Sequence, residues 1–360
     1  MIKTRLPKKT LNTSIRLVDR LMFTKHLGVM LKSGITLGEA LEALSQQTRQ
    51  KDMKKILTKI QAEIRNGVSL EKTLGMFPKA FDTLYRSIVA VGEKSGNLEK
   101  NLEYLAGNMA KGYEFRKKVK TAMLYPAIVL TAAGFSGVTM AVFVLPKMVE
   151  MFRTLEVELP LATRILIFVA DTSRNYGLII VPAAVGLVIA AGMVVHLPGI
   201  RPRWHALLLG LPGVGGLLSQ IQVALMCRNL GIMLGSGIPV NEALGVAAEA
   251  ADNLVYADYM RSMQKAVEQG RELGKEMSGS RYKHIPLVVS RMVQVGEKSG
   301  KLDESFLYLA DFYEEEVDGA VKNLGTVIEP AMLVFIALVV GFVAFAIITP
   351  IYRLTGGIHR

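Results

Sequence analysis

The residues best suited to chemistry lie in a hexapeptide that the chain contains twice, Val-Gly-Glu-Lys-Ser-Gly at 91–96 and again at 295–300. It is not a phosphate-binding loop, because Glu stands between Gly and Lys where G-x-x-x-x-G-K-[ST] is required. The segment suits a turn between helices, but a solvated turn could use many polar residues. Because Glu93-Lys94-Ser95 and Glu297-Lys298-Ser299 are identical, a second interpretation stays open. In it, Glu93 and Glu297 contact a partner, a metal ion or a companion subunit.

Other catalytic motifs are missing from the sequence. It contains neither H-E-x-x-H nor G-x-S-x-G, and its five histidines are dispersed without metal-ligand spacing. The single cysteine, Cys227, excludes an internal disulfide and is interpreted as a small buried hydrophobic residue. We therefore expect no catalytic residue and no cofactor, and the sequence leaves a metal site near Glu93 or Glu297 undetermined.

The chain is an internal duplication. Residues 27–35 (LGVMLKSGI) return at 230–238 (LGIMLGSGI), and residues 125–130 (YPAIVL) return at 329–334 (EPAMLV). A module of about 125 residues thus occurs twice in the same order, and each copy ends in a long apolar segment. Both copies enter the apolar segment from the same side, unlike the inverted repeats of many transporters.

Three stretches without Asp, Glu, Lys or Arg are long enough to cross a membrane: 121–146, 175–200 and 330–352. A spanning helix needs about 20 apolar residues. The hydrophobic content of 51% also favours a membrane protein with sizeable polar parts. We place the last helix at 326–352. Each stretch is too long for an ordinary buried core helix, so the sequence predicts three transmembrane helices.

Charge gives the orientation. Residues 1–120 carry 24 Lys and Arg against 11 Asp and Glu, whereas the loop 147–174 carries four of each. A basic excess beside a span marks the cytoplasmic side. We therefore expect a cytoplasmic tail at 1–20, which is too charged for a signal peptide, a periplasmic loop at 147–174 and a periplasmic tail at 353–360.

The two polar regions, 21–120 and 201–325, differ in charge. The second has 13 basic against 15 acidic residues, so the copies are not expected to bind one partner through the same face. The basic first copy suits anionic lipid or an acidic protein surface. Nucleic acid is not expected, because the charges are scattered and lack interleaved aromatic residues.

Glycine and proline mark the helix ends. Gly34 and Gly237 are placed to end a helix in the left-handed conformation, and Thr36 with Glu39 forms a capping-box pattern. A second set is predicted to sit at sharp reversals between helices: Gly92, Gly96, Gly296 and Gly300. Pro126 and Pro330 fit the first turn of a helix. Glu329, at the edge of the last span, is either a site or an ordinary helix-end carboxylate at the membrane interface.

Together these motifs resemble the type II secretion F family. The first copy shows Ser33-Gly34-Ile35, Glu39-Ala40-Leu41, the G-x-S-L element at 67–70, P-x-x-F at 78–81, V-G-E-x-S-G-x-L at 91–98, Tyr125-Pro126 and Leu145-Pro146. The second shows Ser236-Gly237-Ile238, Glu242-Ala243-Leu244, residues 295–302, Glu329-Pro330 and Thr349-Pro350. It departs from the pattern where Arg271-Glu272-Leu273-Gly274 replaces G-x-S-L and where no clear P-x-x-F occurs near 282–286.

The resemblance implies an all-α membrane protein with two homologous cytoplasmic antiparallel helical bundles and three transmembrane helices. It implies an inner-membrane platform for type II secretion or type IV pilus assembly, including type IVb pili, that forms a homo-oligomer. The implied partners are a cytoplasmic assembly ATPase, pilin or pseudopilin subunits, other inner-membrane machine components and the lipid bilayer. Two alternatives remain open: a small oligomeric transporter or channel, and a membrane-anchored signalling adaptor.

Overall fold

The computed structural model describes residues 13–140 and 199–357 except Gly213, together with isolated positions between 161 and 197. Within these residues all regular structure is helical, which confirms the prediction of an all-α protein. The first copy contains six helices: α1 (Leu17–Lys32), α2 (Leu37–Gln47), α3 (Lys51–Arg65), α4 (Leu70–Leu74), α5 (Thr83–Ser95) and α6 (Leu98–Thr139).

The second copy repeats this order after one additional helix, α7 (Arg201–Gly210). Its helices α8 to α13 correspond one by one to α1 to α6, and a short 3-10 turn (Ser280–Tyr282) precedes α12. The bounds are α8 (Val214–Gly235), α9 (Val240–Ala250), α10 (Leu254–Glu268), α11 (Leu273–Met277), α12 (Leu287–Ser299) and α13 (Leu302–Gly357).

The described chain forms two compact units. The first unit comprises residues up to 118 together with 202–318, so both copies of the polar module share it. The second comprises 119–201 and 319–360, which include the three predicted spans.

Each copy in the first unit has an apolar core built at helical spacing. In α3, Met53, Ile56, Leu57 and Ile60 are buried, while the lysines between them are exposed. This three-and-four spacing puts one apolar stripe on the inner face of the helix. In the second copy the corresponding helix α10 buries Tyr256, Tyr259, Met260 and Met263 in the same manner.

The turn between α1 and α2 forms as the sequence predicts. Gly34 has a φ of 83°, and the Thr36 hydroxyl accepts a hydrogen bond from the Glu39 amide while the Glu39 carboxylate accepts one from the Thr36 amide. In the second copy Gly237 has a φ of 86°, and Pro239 is the N-cap of α9. The two sequences thus reach one backbone geometry with different residues.

The prediction that Pro126 and Pro330 open helices is wrong. Both lie inside the long helices α6 and α13, which begin at Leu98 and Leu302, and Glu329 lies inside α13 as well. Ala122, Met123 and Leu124 before Pro126 are good helix formers, whereas α13 continues to Pro330 through Gly325, Thr326 and Val327, which are poor ones. An interior proline removes one backbone hydrogen bond, and its ring crowds the carbonyl four residues earlier, so it favours a local kink.

One helix of the described residues, Val214–Gly235, is long and apolar enough by length and composition to cross a membrane. Half of its most apolar window is buried, and Val223, Cys227 and Leu230 lie in the core of the first unit. The predicted spans 121–146 and 330–352 fall on α6 and α13 where described, and the span 175–200 lies almost wholly outside the described residues.

The large apolar side chains of the described span residues are mostly exposed. Examples in α6 and α13 are Leu124, Ile128, Phe135, Leu338 and Phe345, with exposed fractions from 57% to 74%. Apolar surface of this extent needs a nonaqueous environment or a partner. This exposure is compatible with membrane spans, and the topology with three spans stays a prediction.

Gly96 tests the predicted helix end. We expect Gly96→Ala to lower the free energy of unfolding by about 1–2 kcal/mol, because Gly96 has a φ of 72° where a Cβ is strained. Gly107→Ala is the control: Gly107 lies mid-helix with open space at its Cβ position, so the variant should gain up to about 1 kcal/mol. Thermal unfolding of the detergent-solubilised chain by circular dichroism measures both. Equal shifts in the two variants would contradict the assignment.

Candidate functional site

The carboxylate of Glu93 caps a neighbouring helix. Its Oε1 accepts a hydrogen bond from the Leu70 amide at 2.7 Å, and its Oε2 accepts one from the Glu71 amide at 3.2 Å. These amides open the five-residue helix α4 and have no partner within that helix. A negative charge at a helix N-terminus is favourable. Glu93 therefore fixes α4 against the last turn of α5.

The second copy builds the same arrangement. Glu297 Oε1 accepts from the Leu273 amide at 2.8 Å, and Oε2 accepts from the Gly274 amide at 3.0 Å, at the start of α11. The cap gives a structural reason for the identical glutamates. The neighbouring Lys94 and Lys298 are exposed, and the Ser95 and Ser299 hydroxyls donate to the Gly92 and Gly296 carbonyls.

The repeated hexapeptide uses its two glycines differently. Gly96 and Gly300 cap α5 and α12 in the left-handed conformation, as expected for a reversal. Gly92 and Gly296 do not lie at the reversal, which corrects the prediction; they are buried inside the helices. A Cβ on Gly92 would lie 3.0 Å from the Asn101 Cβ, because the next helix crosses there.

The second copy keeps the element that it was predicted to lack. Gly270 has a φ of 78°, as Gly67 does, and Leu273 offers its amide to Glu297 as Leu70 does to Glu93. The matching residues are therefore Gly270-Arg271-Glu272-Leu273, and the departure inferred from sequence is wrong at this element. Glu272 stands where Ser69 caps α4, and it makes no side-chain cap bond.

A buried cation joins two helices of the second copy, and one of its carboxylate partners also bonds to the first copy. The side chain of Arg228 in α8 is 4% exposed; its Nε donates to Glu314 Oε1 at 3.0 Å and a terminal nitrogen donates to Asp311. The Lys111 ammonium of the first copy donates to both Asp311 oxygens at 3.1 Å. The cluster of Lys111, Arg228, Asp311 and Glu314 therefore connects α6, α8 and α13.

The pKa values in this cluster follow from burial and pairing. Burial opposes the charge of Arg228, but Asp311 and Glu314 outweigh it and raise the guanidinium pKa. Burial likewise acts to raise the pKa of Asp311, but hydrogen bonds from Arg228 and Lys111 outweigh it and lower that pKa. For Glu314 burial is the larger effect, so its pKa lies above the ordinary value although Arg228 opposes this.

Sequence reasoning missed Arg228, although a signal was present. Arg228 is the one charged residue in the helix Val214–Gly235. A charge isolated in an apolar helix must be paired or solvated. Its partners lie more than 80 residues later in the chain, so the sequence alone does not identify them.

The rest of the contact between the copies is close and largely apolar. Helix α5 contacts α8 and α9, and the Tyr104 hydroxyl donates to the Gly231 carbonyl at 3.4 Å. A Cβ on Gly235 would lie 2.5 Å from the Tyr104 hydroxyl oxygen, so glycine is needed for this approach. A cavity of about 150 Å³ remains, lined by residues of both copies that include Leu84, Leu225 and Ile232.

No group of three or more His, Cys, Asp or Glu residues suited to a metal ion occurs in the described part of the chain. Glu93 and Glu297 already accept two backbone amides each. What the described site offers is packing and electrostatic connection between helices. Nothing in this geometry aligns a nucleophile with a base.

Comparison with known proteins gives the family. A model of the family described as Type II secretion system (T2SS), protein F matches residues 23–146 and 226–350. These matches cover both copies and more than half of the chain, so the chain belongs to the type II secretion system protein F family, as the resemblance predicts. Members of this family are structural platform proteins rather than enzymes, and they are components of the inner membrane.

Curated relatives extend over nearly the whole chain. The chain is 34% identical over 340 residues to the type IV pilus assembly protein PilC of Thermus thermophilus, covering 94% of this chain and 83% of that protein. It is 32% identical over 336 residues to the type II secretion system protein F of Pseudomonas aeruginosa, covering 93% and 82%. It is also 32% identical to PilC of Myxococcus xanthus, covering 95% and 81%.

The cap geometry predicts a stability role for Glu93. Glu93→Ala should lower the free energy of unfolding by about 1–3 kcal/mol, because two amides lose a charged acceptor. Glu93→Gln retains one acceptor oxygen and should lose less, and the exposed-site control Lys94→Ala should change less than about 0.5 kcal/mol. Thermal unfolding of the solubilised chain measures all three. A Glu93→Ala chain that unfolds like the parent yet fails in assembly would instead support the partner-contact interpretation.

The ion cluster predicts that replacing its buried cation lowers the free energy of unfolding more than replacing its exposed cation. Arg228→Met should destabilise by about 3–5 kcal/mol, because it leaves the largely buried Glu314 carboxylate unpaired. Lys111→Met should cost under about 1 kcal/mol, because the Lys111 side chain is 55% exposed. Denaturant unfolding gives both values.

The same cluster has a defined pH dependence. Because the folded-state pKa of Asp311 is lowered, its contribution is complete above about pH 4 and is lost as pH falls through that lowered value. The stability difference between parent and Lys111→Met should therefore shrink in acid. A difference that grows as pH falls would contradict the pairing.

Proposed function

We propose that this chain is the inner-membrane platform of a type IV pilus or type II secretion machine. In this role it couples a cytoplasmic assembly ATPase to the polymerisation of pilin or pseudopilin subunits. It performs no catalysis itself and works as a homo-oligomer. The observation that carries the proposal is the match of one family model to both copies, each of which ends in a helix that runs on into an apolar segment.

Helix continuity supports a mechanical role. Helices α6 and α13 each run without interruption from a charged, bundle-forming segment into a segment with exposed apolar side chains. Because the helix is not broken, a displacement of its polar part is passed on to its apolar part, with bending favoured at the turn around Pro126 or Pro330. A platform that lifts subunits from the membrane needs such a direct connection.

The charge pattern supports the proposed orientation. The basic excess of residues 1–120 beside the first apolar segment favours the cytoplasm, and the loop 147–174 has no net charge. Both copies of the polar module then lie on the side where ATP is available. The chain itself ends on the periplasmic side.

Affinity purification tests this function. We expect the tagged full chain, cross-linked in its native membranes and solubilised in mild detergent, to bring down an assembly ATPase and a pilin or pseudopilin, both identified by mass spectrometry. An unrelated tagged multi-span protein from the same membranes is the matched control. Which fibre subunit is recovered assigns the pilus or the secretion machine.

Two outcomes contradict the proposal. One is recovery of neither component under cross-linking conditions that preserve other membrane complexes. The other is a deletion strain with normal fibres and normal secretion. Selective solute flux through liposomes containing the pure chain would favour the channel alternative instead.

A further inference from the structure

The two copies contact each other asymmetrically. The first copy contributes a surface of α5 and α6, here called the α5 face. Leu84 and Asn108 line the cavity between the copies, Tyr104 bonds to Gly231, and Ile88 and Val91 share the helix face of Leu84 by their spacing of four and seven residues. The second copy contributes a surface of α8, here called the α8 face, formed by Leu225, Arg228, Asn229 and Ile232. Leu84, Asn108, Leu225, Arg228, Asn229 and Ile232 all line the cavity between the copies. The contact joins two different faces, so it is head to tail.

The second copy carries an equivalent of the α5 face that is exposed among the residues that the structure describes. Adding 204 to each number gives the α12 face: Val288, Met292, Val295, Tyr308 and Phe312. Val288 is 54% exposed, Val295 64% and Tyr308 60%. At the position of the buried Asn108 stands Phe312, which is 42% exposed. The uncovered face is thus more apolar than its covered counterpart.

The first copy carries an equally uncovered equivalent of the α8 face. Subtracting 203 gives the α1 face: Met22, Lys25, His26 and Val29. Val29 is 56% exposed, whereas its counterpart Ile232 is 4% exposed. Met22 is 47% exposed, and Lys25 is exposed where Arg228 is buried.

Each copy also has a groove beside its α1 or α8 face, and this groove is open in the first copy and nearly filled in the second. In the second copy it is lined by Leu225, Asn229 and Ala250, Arg116 of the first copy lies in it, and about 30 Å³ remains. In the first copy the equivalent groove, lined by Met22, His26 and Gln47, has about 400 Å³ open. The first copy therefore has a preformed docking surface that is not filled by any described residue of this chain.

We propose that the α12 face of one chain packs on the α1 face of a second copy of the same chain, repeating between molecules the contact that joins the two copies within each molecule. Repeated head-to-tail contacts of this kind close into a ring or continue as an open array. The proposal deepens the proposed function, because it names the surface through which the platform self-associates.

Charge complementarity supports this occupant. Within the chain, Lys111 of the α5 side meets Asp311 beside Arg228. At the position of Lys111 the second copy has Glu315, and at the position of Arg228 the first copy has Lys25, with Gly107 in place of Asp311. A docked second chain would therefore bring Glu315 towards Lys25. The signs are exchanged, but opposite charges still meet.

Complementation of two disabled chains tests the head-to-tail arrangement. Val288→Glu and Val29→Glu each place a carboxylate in one apolar face. Each should weaken self-association of the detergent-solubilised full chain about tenfold or more, measured by analytical ultracentrifugation. Mixed together they should form a dimer with one chain of each kind, because the Val29→Glu chain keeps an intact α12 face and the Val288→Glu chain keeps an intact α1 face. Thr58→Glu, on an exposed position of α3, should assemble like the parent.

Cysteine cross-linking tests the contact without introducing a charge. Leu84 and Ile232, which line one cavity within the chain, correspond to Val288 and Val29. Differently tagged chains carrying Val29→Cys and Val288→Cys, co-expressed in membranes, should form a mixed disulfide. The pair Val29→Cys with Thr58→Cys should not. The native Cys227 is buried and does not compete.

The proposal is overturned if the parent chain is monomeric at every concentration, if the two glutamate variants fail to complement, or if Val29→Cys cross-links to itself as readily as to Val288→Cys. These measurements need no pilin, ATPase or fibre. A platform that assembles head to tail but recovers no machine components would contradict the function and leave the interface standing. A platform that recovers machine components but does not assemble head to tail would contradict the interface and leave the function standing.

Discussion

A guanidinium removed from water must be met by carboxylates, and this requirement joins two helices of the second copy beside its contact with the first. Arg228 sits in a helix that otherwise carries no charge, and Asp311 and Glu314 reach it from α13. Their pairing offsets a desolvation cost that neither side could bear alone. Lys111 of the first copy then bonds to Asp311, one of these carboxylates. The paired guanidinium therefore holds α8 against α13 within the second copy, and the part-exposed Lys111 adds one ion pair to the apolar contact of α5 with α8 and α9.

Duplication followed by divergence explains the asymmetry of the molecule. Both copies retain the carboxylate cap, the left-handed glycine after it and the tight crossing at the glycine before it. These features define how each bundle folds. The surfaces have changed separately, with the first copy basic and the second slightly acidic. One chain therefore presents two different surfaces, and the proposed head-to-tail contact depends on this difference.

The helices that leave the bundles suit the function proposed above. In that proposal an ATPase supplies the free energy, and this chain supplies defined contacts and a direct connection between its polar and apolar segments. Helices α6 and α13 and the paired charge of Arg228 provide these. The family's standing as structural platform proteins agrees with the described side chains, which cap, pair and pack.

Local rules in the sequence were sufficient for the helical fold, the turn at Gly34 to Glu39 and the helix ends at Gly96 and Gly300, because each depends on residues within a few positions of one another. The duplication was visible because the same motifs recur in the same order. The identical hexapeptides also identified Glu93 and Glu297 as candidate functional residues. Only the tertiary structure decided what these glutamates do, since the amides they cap lie more than 20 residues earlier. The tertiary structure likewise places Gly92 and Gly296 inside their helices and not at the turn. The next helix passes so close there that a Cβ would collide with it. The pairing of Arg228 and the one-sided contact between the copies depend on residues far apart in sequence, and packing alone brings those residues together.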